Sequence, residues 1–426
     1  MESGGPDVLR LLFLAVFWLA AAPAFAQLGL PNRLPVRLPD TPLGEPERLL
    51  DELDRRVLDE IEDARRDTLN TLLRAHRDLL ERAPGGDVVL RGEVIVIDPS
   101  PALLALASAA GFTVIEDRSE PALNLRYLRL RAPRGIGTQG ALGLLQQFDP
   151  GGLFDLNPIY TLSGEAGGRK TVQDAGIRND VRIGMIDAGV PADSFSPGQV
   201  MTRAFRGSRV APHEHGLQVA AILASADGAA PGARLFAADV YGGEPTGGSA
   251  DTILRALGWM AEADVRVVNI SIVGPRNVAL RAAIERFTAQ GRIVVAAVGN
   301  DGANARPLYP AAYPQVIAVT GVDASHRILP EAVQGDHVDF AARGMDMVWP
   351  SLNGRRVQVR GTSFAAPIVA GLLATEIAAG RPPQDAEAAL AASARDLGRR
   401  GRDDVYGHGA VGDNLFRARR ADLRRR

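Results

Sequence analysis

The sequence predicts an α/β protein: a doubly wound, mainly parallel sheet, preceded by a small βαββαβ unit and a long amphipathic helix. Three observations carry this expectation. From Val181 onward, strand-like apolar runs alternate with helical ones, the pattern of a parallel sheet with helices on both faces. Between Glu93 and Tyr160 the runs are shorter and follow the split-βαβ, or ferredoxin-like, order. Between Glu47 and Arg82, Leu50, Leu53, Val57, Ile61, Leu72 and Leu79 recur at spacings that put one apolar stripe on a helix.

The chain has 426 residues, 46% of them hydrophobic, enough for two or three domains with real cores. Its 48 basic and 50 acidic residues leave a net charge of −2, which gives no electrostatic reason to expect a nucleic-acid partner. There is no cysteine, so disulfides, thiolate metal sites, a cysteine nucleophile and a lipidated N-terminal cysteine are all excluded. Export remains open, because a core of this size is stable without cross-links.

Taken in order, residues 1–26 read as a signal peptide. Leu11 to Ala22 is an uncharged apolar run, too short for a typical span, and Ala24-Phe25-Ala26 is a small-x-small cleavage pattern. The expected location is therefore secreted or periplasmic. An uncleaved N-terminal membrane anchor is the alternative, because Glu2 and Asp7 offset Arg10 ahead of the run. Residues 27–46 form a Pro-rich linker. The amphipathic helix is assigned to 47–86, closed by Pro84-Gly85-Gly86. Alternating Glu and Arg line its outer face, so its stripe is expected to pack on the rest of the chain or on a partner.

The βαββαβ unit is assigned to 87–162: strand Glu93 to Ile97, helix Pro101 to Ala110, strand Thr113 to Ile115, strand Leu123 to Leu130, helix Gln139 to Phe148 and strand Asn157 to Tyr160. A Gly-rich, charged junction over 163–178 has the composition of a protease-sensitive linker and holds Lys170, the chain's one lysine. The large α/β unit is assigned to 179–416, with an Arg-rich tail over 417–426.

Three motifs of the large unit sit where such sheets place their active sites, at strand ends and helix starts. Arg182 to Gly189 is an apolar strand that delivers Asp187 into a turn. His215 stands just before the apolar helix of Gly216 to Ala224, with His213 two positions earlier expected in a surface loop. Gly361-Thr362-Ser363-Phe364-Ala365-Ala366-Pro367 places Ser363 at a helix N-terminus, where free backbone N–H groups and the helix dipole favour a developing negative charge. Any one of these could be a cap or a packing residue. Their coincidence is harder to dismiss.

The string around Ser363 resembles the nucleophile motif of the subtilisin-like serine proteases, the subtilases, and Asp187, His215, Ser363 follow the order of that family's triad. Val294 to Gly302 is similar to the family segment that supplies the oxyanion-hole asparagine, here Asn300, and the run Tyr309 to Ala318 follows in the family's order. The resemblance covers about Asn179 to Gly371 and implies a serine-type endopeptidase. It implies catalytic roles for Asp187, His215 and Ser363, and an oxyanion hole of Asn300 and the Ser363 N–H.

The resemblance further implies a substrate held between Gly247, Gly248 and Ser271, Ile272, Val273, Gly274. It gives a first pocket walled by Ala296, Ala297 and Val298, which suits an uncharged, apolar or aromatic side chain. It also implies that the βαββαβ unit is a prodomain acting as intramolecular inhibitor, with Asn157 to Tyr160 at the cleft and cleavage within Tyr160 to Lys170. Partners are then a protein or peptide substrate, the prodomain itself and a possible partner for the 47–82 helix. No cofactor is identified; calcium enters only because relatives bind it, since no Asp-rich loop of calcium type occurs.

Three positions depart from the family: Ala188 where Ser or Thr is usual after the aspartate, and Leu217 and Gln218 after His215. Ile272-Val273 also replaces a common Leu-Gly. Ala188, Leu217 and Gln218 leave one alternative, a catalytically silent binding protein on the same fold; the leader and the 47–82 helix leave another, a membrane-tethered processing protease.

Overall fold

The computed structural model describes residues 65–163, 169–170 and 181–415. The leader, the Pro-rich stretch, the first part of the expected long helix, most of the junction and the Arg-rich tail lie outside those residues.

The described chain opens with helix α1 (65–75). The helix expected to continue through Arg82 stops there, and strand β1 (Leu80–Arg82) pairs antiparallel with the start of β2 (Val88–Ile97). The apolar spacing misleads at this point. Leu79, counted in the stripe, is exposed, whereas Leu80 is buried with Leu72, Val88, Leu90 and Ile159. Next come α2 (Pro101–Ala109), β3 (Thr113–Glu120), β4 (Leu125–Arg131), α3 (Thr138–Phe148) and β5 (Leu153–Pro158). Ser100 caps α2 by accepting from the Leu103 N–H. Strand β3 runs five residues beyond its apolar start, paired with β4 as far as Glu120, and its charged residues are matched there: Arg129 donates to Glu116 and Arg126 to Asp117. Strand β5 begins at Leu153 rather than Asn157. The sheet is antiparallel, running β3-β4-β2, with β5 and β1 sharing the other edge of β2.

Two-residue strands β6 (Thr161–Leu162) and β7 (Arg169–Lys170) lead into the large unit. It comprises β8 (Arg182–Asp187), β9 (Val200–Ala204), α4 (Glu214–Ala224), β10 (Arg234–Asp239), α5 (Ala250–Glu262), β11 (Val267–Ile270), β12 (Ile272–Val273), α6 (Val278–Thr288), β13 (Ile293–Ala297), β14 (Val316–Val322), β15 (Val338–Arg343), β16 (Met347–Leu352), β17 (Arg356–Val359), α7 (Thr362–Ala378) and α8 (Pro383–Ser393). Seven of these strands form one parallel sheet in the order β15-β14-β13-β11-β8-β10-β9. One face packs on α5 and α6, the other on α4, α7 and α8.

The apolar-rich run Val265 to Ile272 reads as one strand, yet it divides at Ser271. Val267–Ile270 stays in the parallel sheet, while Ile272–Val273 leaves it and pairs with β6. That break builds one side of the cleft. The β15 to β17 strands are short and interrupted by polar residues, and they carry no strong sequence signal.

The N-terminal unit docks on α5 and α6. Its sheet turns Val94, Val96, Leu128 and Leu130 toward its own α2 and α3, and Ile95, Ile97, Leu125 and Tyr127 toward the large unit. Polar groups close the seam. Asp155 accepts from the Val278 N–H at 2.7 Å, satisfying a free donor at the start of α6. Asn157 donates to Asp251 at 2.9 Å beside the start of α5. Burial alone would raise the Asp251 carboxyl, but Arg206, Arg129 and Arg255 overcome it and hold it below its ordinary range.

Candidate active site

Asp187 is the last residue of β8, an inner strand, and is completely buried. Its Oδ1 accepts from the Ala188 N–H at 2.6 Å and lies 2.8 Å from His215 Nδ1. His215 is the second residue of α4, and its Nε2 lies 2.9 Å from Ser363 Oγ. A neutral imidazole satisfies both contacts in one way: Nδ1–H donates to the carboxylate and Nε2 accepts the serine hydroxyl. The ring also rests against Phe364, with centroids 5.2 Å apart. Helix α4 reaches the end of β8 because residue 216 is glycine; a Cβ there would lie 2.4 Å from the Ala188 carbonyl oxygen. The three residues singled out in the sequence thus form one hydrogen-bonded chain.

Ser363 is the second residue of α7. Pro367 lies four residues on and has no N–H, so it leaves the Ser363 carbonyl without its usual helical donor. The Ser271 hydroxyl supplies one instead, at 2.9 Å, and itself accepts from Asn269 Nδ2 at 2.8 Å. The proline and the serine that follows β11 therefore act on the same carbonyl. Asn300 is held by its oxygen: Oδ1 accepts from the Thr362 N–H and hydroxyl, both at 3.0 Å. Its amide N–H₂ is left as the group available to a ligand.

The chain's own residues 159–163 lie in the cleft as a strand. Ile159 bridges to Ser249, and the Tyr160 N–H donates to Gly248 at 2.8 Å. Strand β6 pairs antiparallel with β12, Leu162 opposite Ile272 and Thr161 opposite Val273. Ser163 Oγ donates to the Ser271 carbonyl at 3.1 Å. The Ser363 N–H donates to the Ser163 carbonyl at 3.1 Å, which aims that carbonyl at the serine hydroxyl's own residue. Tyr160 is fully enclosed; its hydroxyl donates to the Pro275 carbonyl at 2.8 Å, and its own carbonyl accepts from Tyr241 at 3.0 Å. Burial pushes both phenols well above their ordinary pKa, so they stay protonated donors. Gly274 is required beside this ring, since a Cβ would sit 2.4 Å from Tyr160 Cδ1.

Of the expected binding residues, Gly248, Ser271, Ile272 and Val273 line the bound segment. Gly274 lies beside the Tyr160 ring while its backbone pairs with Tyr309, and Gly247 turns its N–H to Glu244. Ala296 and Val298 turn their side chains to one face of the sheet and Ala297 to the other, just ahead of Asn300. His213 ends the loop ahead of α4 as expected, but it is half-buried rather than fully exposed. It caps α4 by accepting from the His215 N–H at 3.2 Å, and burial, helped by neighbouring His215, pushes its pKa down to about 4. At the departures, Leu217 packs in the core, while the side-chain amide of Gln218, like Asp187 Oδ2, is buried without a hydrogen-bond partner among the described residues. Sequence reasoning missed Tyr241 and Pro275, which carry no motif, and Arg65, one charge among many. Among the described residues no three histidine or carboxylate side chains converge as a metal site would require.

Comparison with known proteins gives one consistent answer. The model of the subtilase family matches residues 200–409, a span that includes His215, Asn300 and Ser363. The chain is 30% identical to subtilisin DY of Bacillus licheniformis over 215 residues, covering 46% of this chain and 76% of that protein. It is also 30% identical to the minor extracellular protease Epr of Bacillus subtilis over 246 residues, 54% of this chain and 38% of Epr. The chain thus spans well under two thirds of Epr. Among solved structures, fervidolysin from Fervidobacterium pennivorans, a keratinolytic enzyme related to subtilisin, superposes with a TM-score of 0.64 at 18% identity, covering 79% of this chain and 62% of that one. At that identity the likeness speaks for the fold alone. With the parallel sheet, the order of the three site residues and the relatives in agreement, the chain belongs to the subtilase family of subtilisin-like serine proteases.

Proposed function

We propose that this chain is a serine endopeptidase made as a zymogen, in which Asp187, His215 and Ser363 are the catalytic triad and residues up to Ser163 form an inhibitory prosegment. Ser363 Oγ attacks the carbonyl of the residue at the Ser163 position, P1. His215 takes the hydroxyl proton and passes it to the leaving amine, and Asp187 holds the ring in the required tautomer and stabilises its cation. The Ser363 N–H and the Asn300 amide donate to the oxyanion. Water then attacks the acyl-enzyme, with His215 acting as base again.

One observation carries this reading. The Ser163 carbonyl already accepts the Ser363 N–H, while the Ser363 hydroxyl sits on His215 Nε2. A peptide bond held there is in position for attack, so the maturation cut falls between Ser163 and Gly164. The N-terminal unit is then the prodomain. It holds Tyr160 in the P4 site and Ser163 in P1, and substrates bind in the same extended way, adding a strand between Gly248 and Ser271–Val273. Export follows from the leader of residues 1–26, and a precursor beginning at Gln27 is the sign of its removal.

A phosphonate probe that reacts only with activated serines tests the chemistry. The reading expects labelling of the processed protein at Ser363 and none in Ser363→Ala. A processed wild-type chain that takes no label refutes it.

A further inference from the structure

The cleft holds a charged contact that peptide-bond chemistry does not use. Arg65, in α1, reaches over the bound segment. Its Nε donates to Thr161 Oγ1 at 3.0 Å, and a terminal nitrogen pairs with the Asp301 carboxylate. Both side chains are largely covered, 15% and 16% exposed, so solvent screens this pair less than a surface one. Asp301 directly follows Asn300, at the rim of the cleft. Among the described residues, Arg65 is the cation paired with it.

Arg65 lies ahead of the Ser163–Gly164 bond and Asp301 lies after it. Cutting that bond and releasing the N-terminal unit takes the cation away and leaves the carboxylate beside the peptide track. A carboxylate there favours a positive partner and disfavours a negative one. The contact also says which substrate position supplies the partner. One guanidinium touches both the Thr161 side-chain oxygen and Asp301. The carboxylate is therefore within a guanidinium's width of the P3 side chain, well inside the reach of an arginine at P3.

We propose that Asp301 is a specificity-determining residue that selects peptides with a basic side chain at P3, and that Arg65 fills this cation site in cis in the precursor. The proposal rests on the cleft reading given above. It assigns the α1 segment a definite task as well: α1 supplies the charge that the prosegment's own P3 residue, a threonine, lacks.

A charge relocation in the full chain tests this without relying on turnover. In the Ser363→Ala protein, hydrogen exchange of the Tyr160 and Ser163 amides reports how firmly the segment is held. Arg65→Gln keeps the packed stem and removes the charge; it should speed exchange about fivefold to tenfold. Adding Thr161→Arg should restore protection, and Asp301→Asn should cancel the restoration. Exchange that stays fast after Thr161→Arg, or a restoration that survives Asp301→Asn, overturns the proposal.

Peptides then separate this inference from the reading it rests on. The processed enzyme should cleave Tyr-Arg-Leu-Ser-Gly-Glu with a kcat/KM roughly tenfold above its P3-Glu counterpart, with the P3-Thr peptide between them, and Asp301→Asn should bring the three together. Cleavage of all three at one rate by the wild type sinks the role of Asp301 alone. Failure to cleave any of them, the chain's own P3-Thr sequence included, sinks the protease reading.

Discussion

The two sheets of this molecule are covered in different ways. The parallel sheet of the large unit packs on its own helices on both faces, α5 and α6 on one side and α4, α7 and α8 on the other. The antiparallel sheet of the N-terminal unit covers one face with α2 and α3, and its other face rests on α5 and α6 of the large unit. The chemistry is divided along the same line. Every proposed reacting group belongs to the self-covered sheet or to helices packed on it, while the partner-covered sheet supplies the strand that fills the cleft. A unit that needs its neighbour for half its core is suited to dock and, once cut free, to lose stability.

Experiments that break one region and spare the other sharpen this contrast. The largest effect is expected for His215→Ala in the large unit, a loss of about 10⁶ in kcat, the size known from a subtilisin, with the N-terminal unit still docked. Processing kinetics together with hydrogen exchange read both. Asn300→Leu should cost about 10²–10³ in kcat with little change in KM, because its amide donates to the oxyanion rather than to the bound peptide.

Next in size is Ile95→Ala, on the face covered by the large unit. In the Ser363→Ala full chain it should destabilise the N-terminal unit by about 2–3 kcal/mol, seen as faster exchange in β2, β4 and β5, with β8, β11 and β13 unmoved. Equal loosening of both sheets would contradict the division. Tyr160→Phe removes the hydrogen bond to the half-buried Pro275 carbonyl. It should weaken retention of the segment by about 1–2 kcal/mol, measured as earlier opening of residues 159–163 in urea.

The smallest effect concerns pH. The folded protein protonates His213 only near pH 4, against an ordinary value of 6.5, because burial, and then neighbouring His215, disfavour its charge. Stability from the neutral ring is thus complete above the ordinary value and is lost as pH falls toward the folded one. His213→Gln retains an acceptor for the α4 cap and does not titrate, so its melting temperature should fall less between about pH 7 and about pH 4.5 than that of the wild type. An equal fall in both would remove His213 from the account.

The parts of this molecule that the sequence makes legible are those where residue type and element boundary coincide. Asp187 closes an apolar strand, His215 and Ser363 each open an apolar helix, and the parallel sheet announces itself through alternating runs. Less legible is whatever depends on contacts between distant segments. Leu79 and Leu80 fit one helical stripe equally well, and only the pairing of Leu80 with Leu90 decides for a strand. Ser271 looks like one more residue of an apolar run, yet its hydroxyl and carbonyl face Ser363 and the bound segment. His213 resembles a loop residue until the start of α4 is placed beside it. Arg65 lies among many charges of both signs, and nothing local distinguishes it from its neighbours.

The central claim is that residues up to Ser163 are bound as a substrate whose next bond the chain itself cuts. Intact-mass measurement of the full chain, wild type beside Ser363→Ala, tests it most directly. The account predicts a new fragment beginning at Gly164 in the wild type and one uncut chain in the variant; a cut at another bond, or the same cut in both proteins, would contradict it.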